Sequence, residues 1–187
     1  SRDTTFVALA GKEFDFLGDY IVDSKGEKIE EEKYFDYLDK FVLPYSQAVG
    51  YLFEDDTYMV GALARLNLNR VALHPNTQKD AAQYLKLFPS KNVFHNNLAQ
   101  AIEILHSIDA SIEIIQKNTF KPEEPVKAVL KESVGVGVIE APRGILYYRL
   151  FIDKDGNIKR GNIITPTQQN QINIELDIKK LVQENLE

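Results

Sequence analysis

The chain has 187 residues, 44% of them hydrophobic, no cysteine, and a formal net charge of -6 from 28 acidic and 22 basic residues. Because the basic residues form no cluster, the sequence lacks the electrostatic signature of a nucleic-acid-binding protein. The absence of cysteine excludes a disulfide framework, a thiolate zinc site, an iron–sulfur cluster held by this chain and a cysteine nucleophile. Charges interrupt every apolar stretch before the roughly 20 residues of a membrane span, so no membrane span is expected.

Residues 1–118 are predicted to form a mostly helical part with a small amino-terminal sheet. Apolar runs over Phe6–Ala10 and Tyr20–Ile29, the second around a turn-forming segment, predict short strands. From about Glu30 to Phe53, apolar residues recur at helical spacing, which predicts a helix that Pro44 should kink or divide. The residues in this helical pattern are Tyr34, Tyr37, Leu38, Phe41, Val42, Tyr45, Val49 and Leu52.

Further helices are predicted before a proline-containing boundary. A short helix or turn is expected over Gly61–Arg70, and a capping-box pattern at Thr77 predicts a helix that runs to about Phe88. An apolar stripe predicts a long helix from about Asn96 to Gln116. Two prolines within Phe120–Val126 break the helical pattern, so we place the internal boundary there.

Residues 119–187 are predicted to form a β-rich part that ends in a helix. Glycines and β-branched residues predict three strands, with a tight hairpin turn between the last two. The charged, helix-favouring tail from Asn170 predicts a helix. The expected fold class is therefore α+β, with a β-hairpin or small antiparallel sheet between the helical part and the final helix. The predicted strands are Val134–Ile139, Ile145–Ile152 and Ile158–Ile164, and the hairpin turn is Asp153–Asn157.

Three patterns that suggest ligand sites have simpler explanations. Gly135 and Gly137 lack the third glycine of a dinucleotide-binding loop, which would fall at Glu140. The Asp153–Asn157 segment resembles a calcium loop, but isoleucine follows where glycine is required, so it favours a plain hairpin turn. The histidines are not spaced as a zinc-ligand pair on one helical face and are expected to be packing or surface residues. They are His74, His95 and His106.

The segment Glu140–Gly144, with the sequence Glu-Ala-Pro-Arg-Gly, predicts an arginine held in a defined direction. Pro142 restricts one backbone torsion and removes a donor, and Gly144 permits close approach of another segment. Arg143 would therefore project from a stiff strand end. From this segment alone, an ordinary surface ion pair is the simpler explanation of Arg143.

Longer motifs resemble one enzyme family. Gly137–Leu146, followed by Ile164–Asn170 with its sequence Ile-Thr-Pro-Thr-Gln-Gln-Asn, resembles the carboxy-terminal part of nickel–iron hydrogenase large subunits. Tyr58–Asn67 and Asn97–Glu103 resemble that family's middle region, in the expected order. The similarity is closest to the cytoplasmic, soluble branch. It implies reversible oxidation of H2 to protons and electrons, with electrons passing to an iron–sulfur small subunit.

The resemblance also implies a metal site. In that family, a nickel–iron centre with cyanide and carbonyl ligands is held by four cysteines in two motifs, and soft thiolates suit such metals. Neither motif is present in this sequence. We expect the first motif to precede Ser1 and the second to follow Glu187. The chain alone is then expected to bind no metal and to be inactive.

Specific residues receive roles from the resemblance. Arg143 matches the catalytic arginine over the metals, which favours polarisation of hydrogen and takes part in proton transfer. Pro142 and Thr167 match residues that surround the cyanide and carbonyl ligands, where the Thr167 hydroxyl and the Arg143 guanidinium donate hydrogen bonds to cyanide.

The remaining residues of the two motifs are expected to support this pocket. Pro166 and Asn170 belong to the second motif, where Asn170 is expected to fix the backbone, and Glu140 is expected to be a structural partner. The sequence departs from the family at Tyr147 and Tyr148, where a histidine is frequent, so no histidine-assisted role is expected there.

Two alternatives remain open from the sequence. The first is a metal-free relative, such as the quinone-site subunit of respiratory complex I, which would naturally lack the cysteines. The second is a non-catalytic scaffold that only binds a partner. Cysteine pairs encoded beyond both ends of the chain would favour a hydrogenase, and their absence would favour the metal-free relative.

Overall fold

The computed structural model describes residues 3–14, 16–44, 47 and 49–186. The chain opens with β1 (Thr5–Ala10), β2 (Tyr20–Asp23) and β3 (Lys28–Ile29), which pair in succession as antiparallel neighbours. These strands confirm the predicted strands on either side of the first turn. β1 occupies an inner position of the sheet, and five of its six residues are buried.

The predicted helix from Glu30 to Phe53 is wrong. A 3-10 helix covers Glu31–Asp36, and β4 (Leu38–Val42) then pairs antiparallel with β5 (Val49–Phe53). Aromatic and β-branched residues are frequent in this segment and favour strands, and the pairing gives backbone groups along one edge of each strand hydrogen-bond partners. Tyr45, which belonged to the predicted pattern, lies outside the described residues.

Four helices follow β6 (Tyr58–Met59), which joins the first sheet in parallel beside β1. They are α1 (Ala62–Asn69), α2 (Pro75–Asp80), α3 (Ala82–Leu85) and α4 (His95–Lys117). The predicted short helix and the predicted long helix are both confirmed. Only the first half of α4 contributes fully buried residues, and its exposed apolar side chains include Ile104, Ile108, Ile112 and Ile115.

The predicted start of a helix at Thr77 is wrong. The helix begins at Pro75, whose fixed torsion suits the first helical position. His74 precedes it, and the His74 Nδ1 accepts a hydrogen bond from the Asn76 N–H at 3.2 Å. The Thr77 side chain is buried, and its hydroxyl donates to Asp109 Oδ2 at 2.6 Å, so it joins α2 to α4 instead of capping a helix.

The second part consists of three antiparallel strands and a long helix, as predicted. They are β7 (Ser133–Ala141), β8 (Gly144–Ile152), β9 (Ile158–Ile164) and α5 (Pro166–Asn185). Between β8 and β9, Asp153 Oδ1 accepts hydrogen bonds from the backbone N–H groups of Asp155 and Asn157, both at 2.9 Å, which confirms the hairpin turn.

Two hydrophobic cores meet at β1. Val7 and Leu9 face a core between the sheets, which also contains Ile145 and Tyr147 of β8. Phe6 faces the second core, which is built by the helices. The first core therefore includes residues from both predicted parts of the chain. The members of the helical core include Leu63, Leu66, Leu73, Phe88, Ala99 and Ile102.

The fold class is the predicted one. Helices and strands are mixed, with an amino-terminal sheet, a helical middle, a small antiparallel sheet and a carboxy-terminal helix. Among the helices that the structure describes, no helix is both long and apolar enough to cross a membrane.

Candidate functional site

Pro142 and Arg143 form the two-residue turn between β7 and β8, because Ala141 pairs with Gly144. Both turn side chains are exposed. Pro142 restricts its own φ, and Gly144 adopts a φ of +130°, which residues with a side chain rarely do. Arg143 therefore projects from a tight turn with little backbone freedom.

The turn lies against the segment that leads into α1. A Cβ atom on Gly61 would lie 2.9 Å from the carbonyl oxygen of Arg143, and a Cβ atom on Gly144 would lie 2.7 Å from the Cβ atom of Val60. Both distances are too short for a real side chain. The two segments can cross this closely only because glycine occupies both positions.

Asn170 links the turn to α5. Its Nδ2 donates hydrogen bonds to the carbonyl oxygens of Val60 at 3.0 Å and Arg143 at 3.4 Å, and its Oδ1 accepts from the Val60 N–H at 2.9 Å. The side chain thus holds backbone groups of two other segments. Pro142, Arg143 and Asn170 are brought together by this contact.

Pro166 and Thr167 occupy the first turn of α5. Pro166 is buried at the first helical position, and Thr167 is exposed. Thr167 precedes Asn170 by three residues, and residues at this spacing are neighbours on a helix surface. Thr167 therefore lies one turn from the side chain that contacts Arg143.

Glu140 lies on the inner side of the turn and is almost completely buried. Its Oε2 accepts a hydrogen bond from Arg65 Nη1 at 2.5 Å, and its Oε1 accepts from the Leu9 N–H at 3.0 Å. Burial raises the pKa of Glu140, and the charge of Arg65 and the two hydrogen bonds act in the opposite direction. These bonds connect β7 to α1 and β1.

Arg65 is the centre of this buried charge cluster, and its side chain is only 3% exposed. Its Nε and Nη2 donate to the two carboxylate oxygens of Glu103 at 2.6 and 2.8 Å. Nη1 also donates to the Ala141 carbonyl at 3.0 Å, and Nη2 donates to the Pro142 carbonyl at 3.1 Å. Burial would lower the pKa of Arg65, but the hydrogen bonds and charges of the two glutamates raise it.

Arg65 and Glu103 were not among the residues predicted for the site, although they lie within the Tyr58–Asn67 and Asn97–Glu103 motifs. A usable signal was present, because Arg65 is a charged residue inside the otherwise apolar Gly61–Leu66 run. A charge that is buried needs a partner of opposite sign.

Two buried amides on α5 were also missed. Gln169 Nε2 donates to the Ile145 carbonyl at 2.6 Å, and Asn173 Nδ2 donates to the Tyr58 carbonyl. Together with Asn170, they form one polar side of α5 at helical spacing, which is a recognisable pattern.

Tyr147, one of the two tyrosines at the family's frequent histidine position, faces the core. Its ring stacks on Tyr34 with the ring centres 4.5 Å apart, and its exposure is 0%. Within the described part of the chain, its hydroxyl has no hydrogen-bond partner. Burial raises the pKa of Tyr147 well above its usual value.

Each of the three histidines contacts other residues of the chain, and His74 Nε2 lies 3.3 Å from the Glu113 carboxylate. His106 Nδ1 accepts from the backbone N–H of His74 at 3.0 Å, and its ring lies edge-on to Phe14. His95 Nδ1 lies 2.8 Å from the Ser90 hydroxyl.

The chain's residues do not fit as ligands of a nickel–iron centre. The sequence has no cysteine, and the described residues contain no group of three or more histidine, aspartate or glutamate side chains that could hold a metal ion. What the site offers is an exposed guanidinium at Arg143 and an exposed hydroxyl at Thr167, which are hydrogen-bond donors.

Comparisons with known proteins support a single family, although no protein-family model matches the chain. The chain is 34% identical over 179 residues to sulfhydrogenase 1 subunit alpha of Pyrococcus furiosus, with 94% of this chain and 41% of that protein covered. It is 33% identical over 168 residues to the beta subunit of the NAD-reducing hydrogenase HoxS of Cupriavidus necator, with 80% of this chain and 34% of that protein covered.

A solved structure agrees with these relatives. A crystal structure of an NAD+-reducing NiFe hydrogenase in the H2-reduced state has a TM-score of 0.67 and 25% identity, with 91% of this chain and 41% of that chain covered. The chain thus spans between about a third and two fifths of the length of these three proteins. The chain is therefore a homologue of hydrogenase subunits, and its structural neighbours are nickel–iron hydrogenase large subunits.

Proposed function

We propose that this chain is part of the large catalytic subunit of a nickel–iron hydrogenase, which oxidises H2 reversibly to protons and electrons. Its relatives are hydrogenase subunits, which supports this assignment. The observation that carries the proposal is the rigid turn that exposes Arg143 beside the helix that carries Thr167.

In this proposal, the chain surrounds the metal centre without ligating it. The thiolate ligands come from the rest of the large subunit, and the bound centre supplies the redox chemistry of H2. Arg143 provides a fixed positive charge and hydrogen-bond donors, and such preorganised groups stabilise developing charge at low reorganisation cost. Thr167 would add a hydroxyl that could donate a hydrogen bond to cyanide on the iron.

The other site residues hold this arrangement. Pro142 and Pro166 stiffen the two segments that carry Arg143 and Thr167, and Asn170 ties those segments together through the Arg143 carbonyl. Glu140 is a structural partner, because a carboxylate that accepts from a guanidinium and a backbone amide is already engaged.

The proposal also concerns the parent complex. An iron–sulfur small subunit would accept the electrons, the complex would be cytoplasmic, and this chain by itself would be inactive. Elemental analysis of the purified 187-residue chain tests whether it lacks the metal that activity requires. One nickel per chain would contradict the expected inactivity.

The decisive experiment uses the full-length gene product with its partner subunits. We expect the wild-type complex to contain nickel and to reduce a viologen dye with H2. Arg143→Gln is expected to lower that activity by at least about a hundredfold, because one preorganised electrostatic group is worth about 10² to 10³ in rate. Nickel content should stay unchanged, because Arg143 is not a ligand.

Arg160→Gln provides a matched control, because Arg160 is an exposed arginine on β9 of the same three-stranded sheet. Its activity should equal that of the wild type. A nickel-free wild-type complex without H2 oxidation would instead favour the metal-free relative. Full activity in Arg143→Gln would refute the role of Arg143.

A further inference from the structure

We propose that Arg65 is a positioning residue for Arg143. It would act from the buried side of the β7–β8 turn, where it holds the two peptide groups that precede Arg143. The contacts of Arg65 lie entirely within this chain. Only their consequence for catalysis rests on the proposed function.

The first step is the identity of the groups that Arg65 holds. Its guanidinium donates to the carbonyl oxygens of Ala141 at 3.0 Å and Pro142 at 3.1 Å. The Pro142 carbonyl belongs to the peptide bond that ends at the Arg143 nitrogen. Because a peptide group is planar, fixing that carbonyl also fixes the direction in which the Arg143 backbone begins.

The second step is that Arg65 itself cannot move freely. Glu103 accepts from Nε and Nη2, and Glu140 accepts from Nη1, so donors on all three nitrogens of the guanidinium are engaged. Bidentate pairing of a planar guanidinium restricts its orientation. The side chain is also only 3% exposed.

The third step is that the opposite side of the turn is held independently. Asn170 donates to the Arg143 carbonyl, and the backbone at Gly61 packs against the same carbonyl. Arg65 therefore holds the carbonyl groups before Arg143, and Asn170 holds the one that belongs to it. The exposed Arg143 side chain therefore projects from a turn whose carbonyl groups are held from both sides.

The test is carried out in the full-length hydrogenase complex with two single variants. Arg65→Lys retains a positive charge for the glutamates but cannot reproduce the planar set of donors to both carbonyls. Glu103→Gln removes one charge from the cluster but leaves both carbonyl bonds of Arg65 in place. The two variants thus separate loss of the turn contacts from general weakening of the cluster.

Two readouts are needed. Hydrogen exchange of the Arg143 and Gly144 amides reports the turn, and we expect Arg65→Lys to accelerate it by about tenfold or more, relative to β9. The kcat for H2 oxidation should fall by about ten- to a hundredfold with little change in the KM for H2, because small displacements of a catalytic group have effects of this size. Glu103→Gln should change both readouts much less.

Two results would overturn the inference. One is that the Arg143 and Gly144 amides of Arg65→Lys exchange at the same rate as in the wild type. The other is that amide exchange and kcat change equally in Arg65→Lys and Glu103→Gln, in proportion to the loss of thermal stability alone. If Arg65→Lys does not fold, the double variant Arg65→Gln/Glu140→Gln removes the same turn contacts and leaves only Glu103, which is 15% exposed, with a charge. Glu140→Gln alone is its control.

The exchange measurement also separates this inference from the proposed function. A wild-type complex without H2 oxidation would contradict the hydrogenase assignment, whereas the Arg143 and Gly144 amides would still report whether Arg65 holds the turn.

Discussion

The two arginines on either side of the β7–β8 turn illustrate how burial determines what a charge can do. Arg65 is 3% exposed and bonds two carboxylates and two carbonyls, whereas Arg143, on the outer side, is exposed. A buried charge must be paired, and the pairing makes it part of the structure. An exposed guanidinium on a rigid turn remains available for a reaction partner. Loss of Arg65 should therefore lower stability, whereas loss of Arg143 should lower activity with little effect on stability.

The largest expected effect on stability comes from Arg65→Met. The substitution leaves Glu140 buried without its cationic partner, and removing one member of a buried ion pair costs about 3 to 5 kcal/mol. Urea unfolding of the chain measures this loss. Lys25→Met is the control, since Lys25 pairs with Asp56 on the surface and exposed pairs contribute little to stability. Equal losses in both variants would mean that burial does not distinguish the two pairs.

A smaller loss of stability is expected from Gly144→Ala. This substitution tests the close crossing between the β7–β8 turn and the Val60–Gly61 segment. The new Cβ would meet Val60 and Gly61 in a backbone conformation with a φ of +130°. We expect a loss of about 2 to 3 kcal/mol, from strain together with overpacking.

Gly26→Ala is the matched control for that crossing. Gly26 has a φ of +100° but nothing within 4 Å of an added Cβ, so only the conformational strain applies, at about 1 kcal/mol. Thermal unfolding of both variants measures the difference between their losses of stability. If Gly26→Ala costs as much as Gly144→Ala, the close approach at Val60 contributes nothing.

Alkaline pH should weaken the core that lies behind the turn. Burial raises the pKa of Tyr58 and of Tyr147 well above 10.0. Above about pH 10 the unfolded chain releases these protons and the folded chain keeps them, so the free energy of unfolding falls as the pH rises. The expected slope is about 1.4 kcal/mol per pH unit for each tyrosine.

Tyr147→Phe should remove one of these two contributions. It also removes a buried hydroxyl that has no partner among the described residues, so stability near neutral pH should rise by about 1 kcal/mol. Urea unfolding at about pH 8 and above pH 10 measures both effects. An unchanged alkaline slope in the variant would show that Tyr147 does not remain protonated in the folded chain.

The smallest expected effect on stability belongs to Arg143→Gln. The side chain is exposed, and surface substitutions away from special features change stability by about 0.5 kcal/mol or less. Thermal unfolding of the chain, compared with Arg65→Met, completes the comparison of the two arginines. A loss comparable to that of Arg65→Met would show that Arg143 is a structural residue.

Predictions from local patterns succeeded where one element could be formed from its own residues. Periodicity and turn chemistry predicted the long helix α4, the three strands β7, β8 and β9, and the turn at Asp153. The segment around β4 and β5 failed, because its apolar spacing also fits a helix and the pairing of Leu38 with Phe53 is decided across a turn. At Thr77, the hydroxyl bonds to Asp109, a partner that is distant in the sequence.

In the candidate site too, local motifs were recognisable, whereas contacts between distant segments were not. The Glu140–Gly144 and Ile164–Asn170 motifs were recognisable, and the pattern predicted a stiff presentation of Arg143. Gly144 was expected to permit a close approach, but its partner segment at Gly61 was not predictable, because the two residues are far apart in the chain.

By itself, the sequence determined the α+β class and most of the elements, because local composition and spacing encode these features. Its longer motifs carried the resemblance to hydrogenase large subunits. Only the tertiary structure decided which charges are buried. Arg65, Glu103 and Glu140 lie on three separate elements, and desolvation forces them together only when those elements pack. The physical reason is that the free energy of a charge depends on the surroundings supplied by the whole fold.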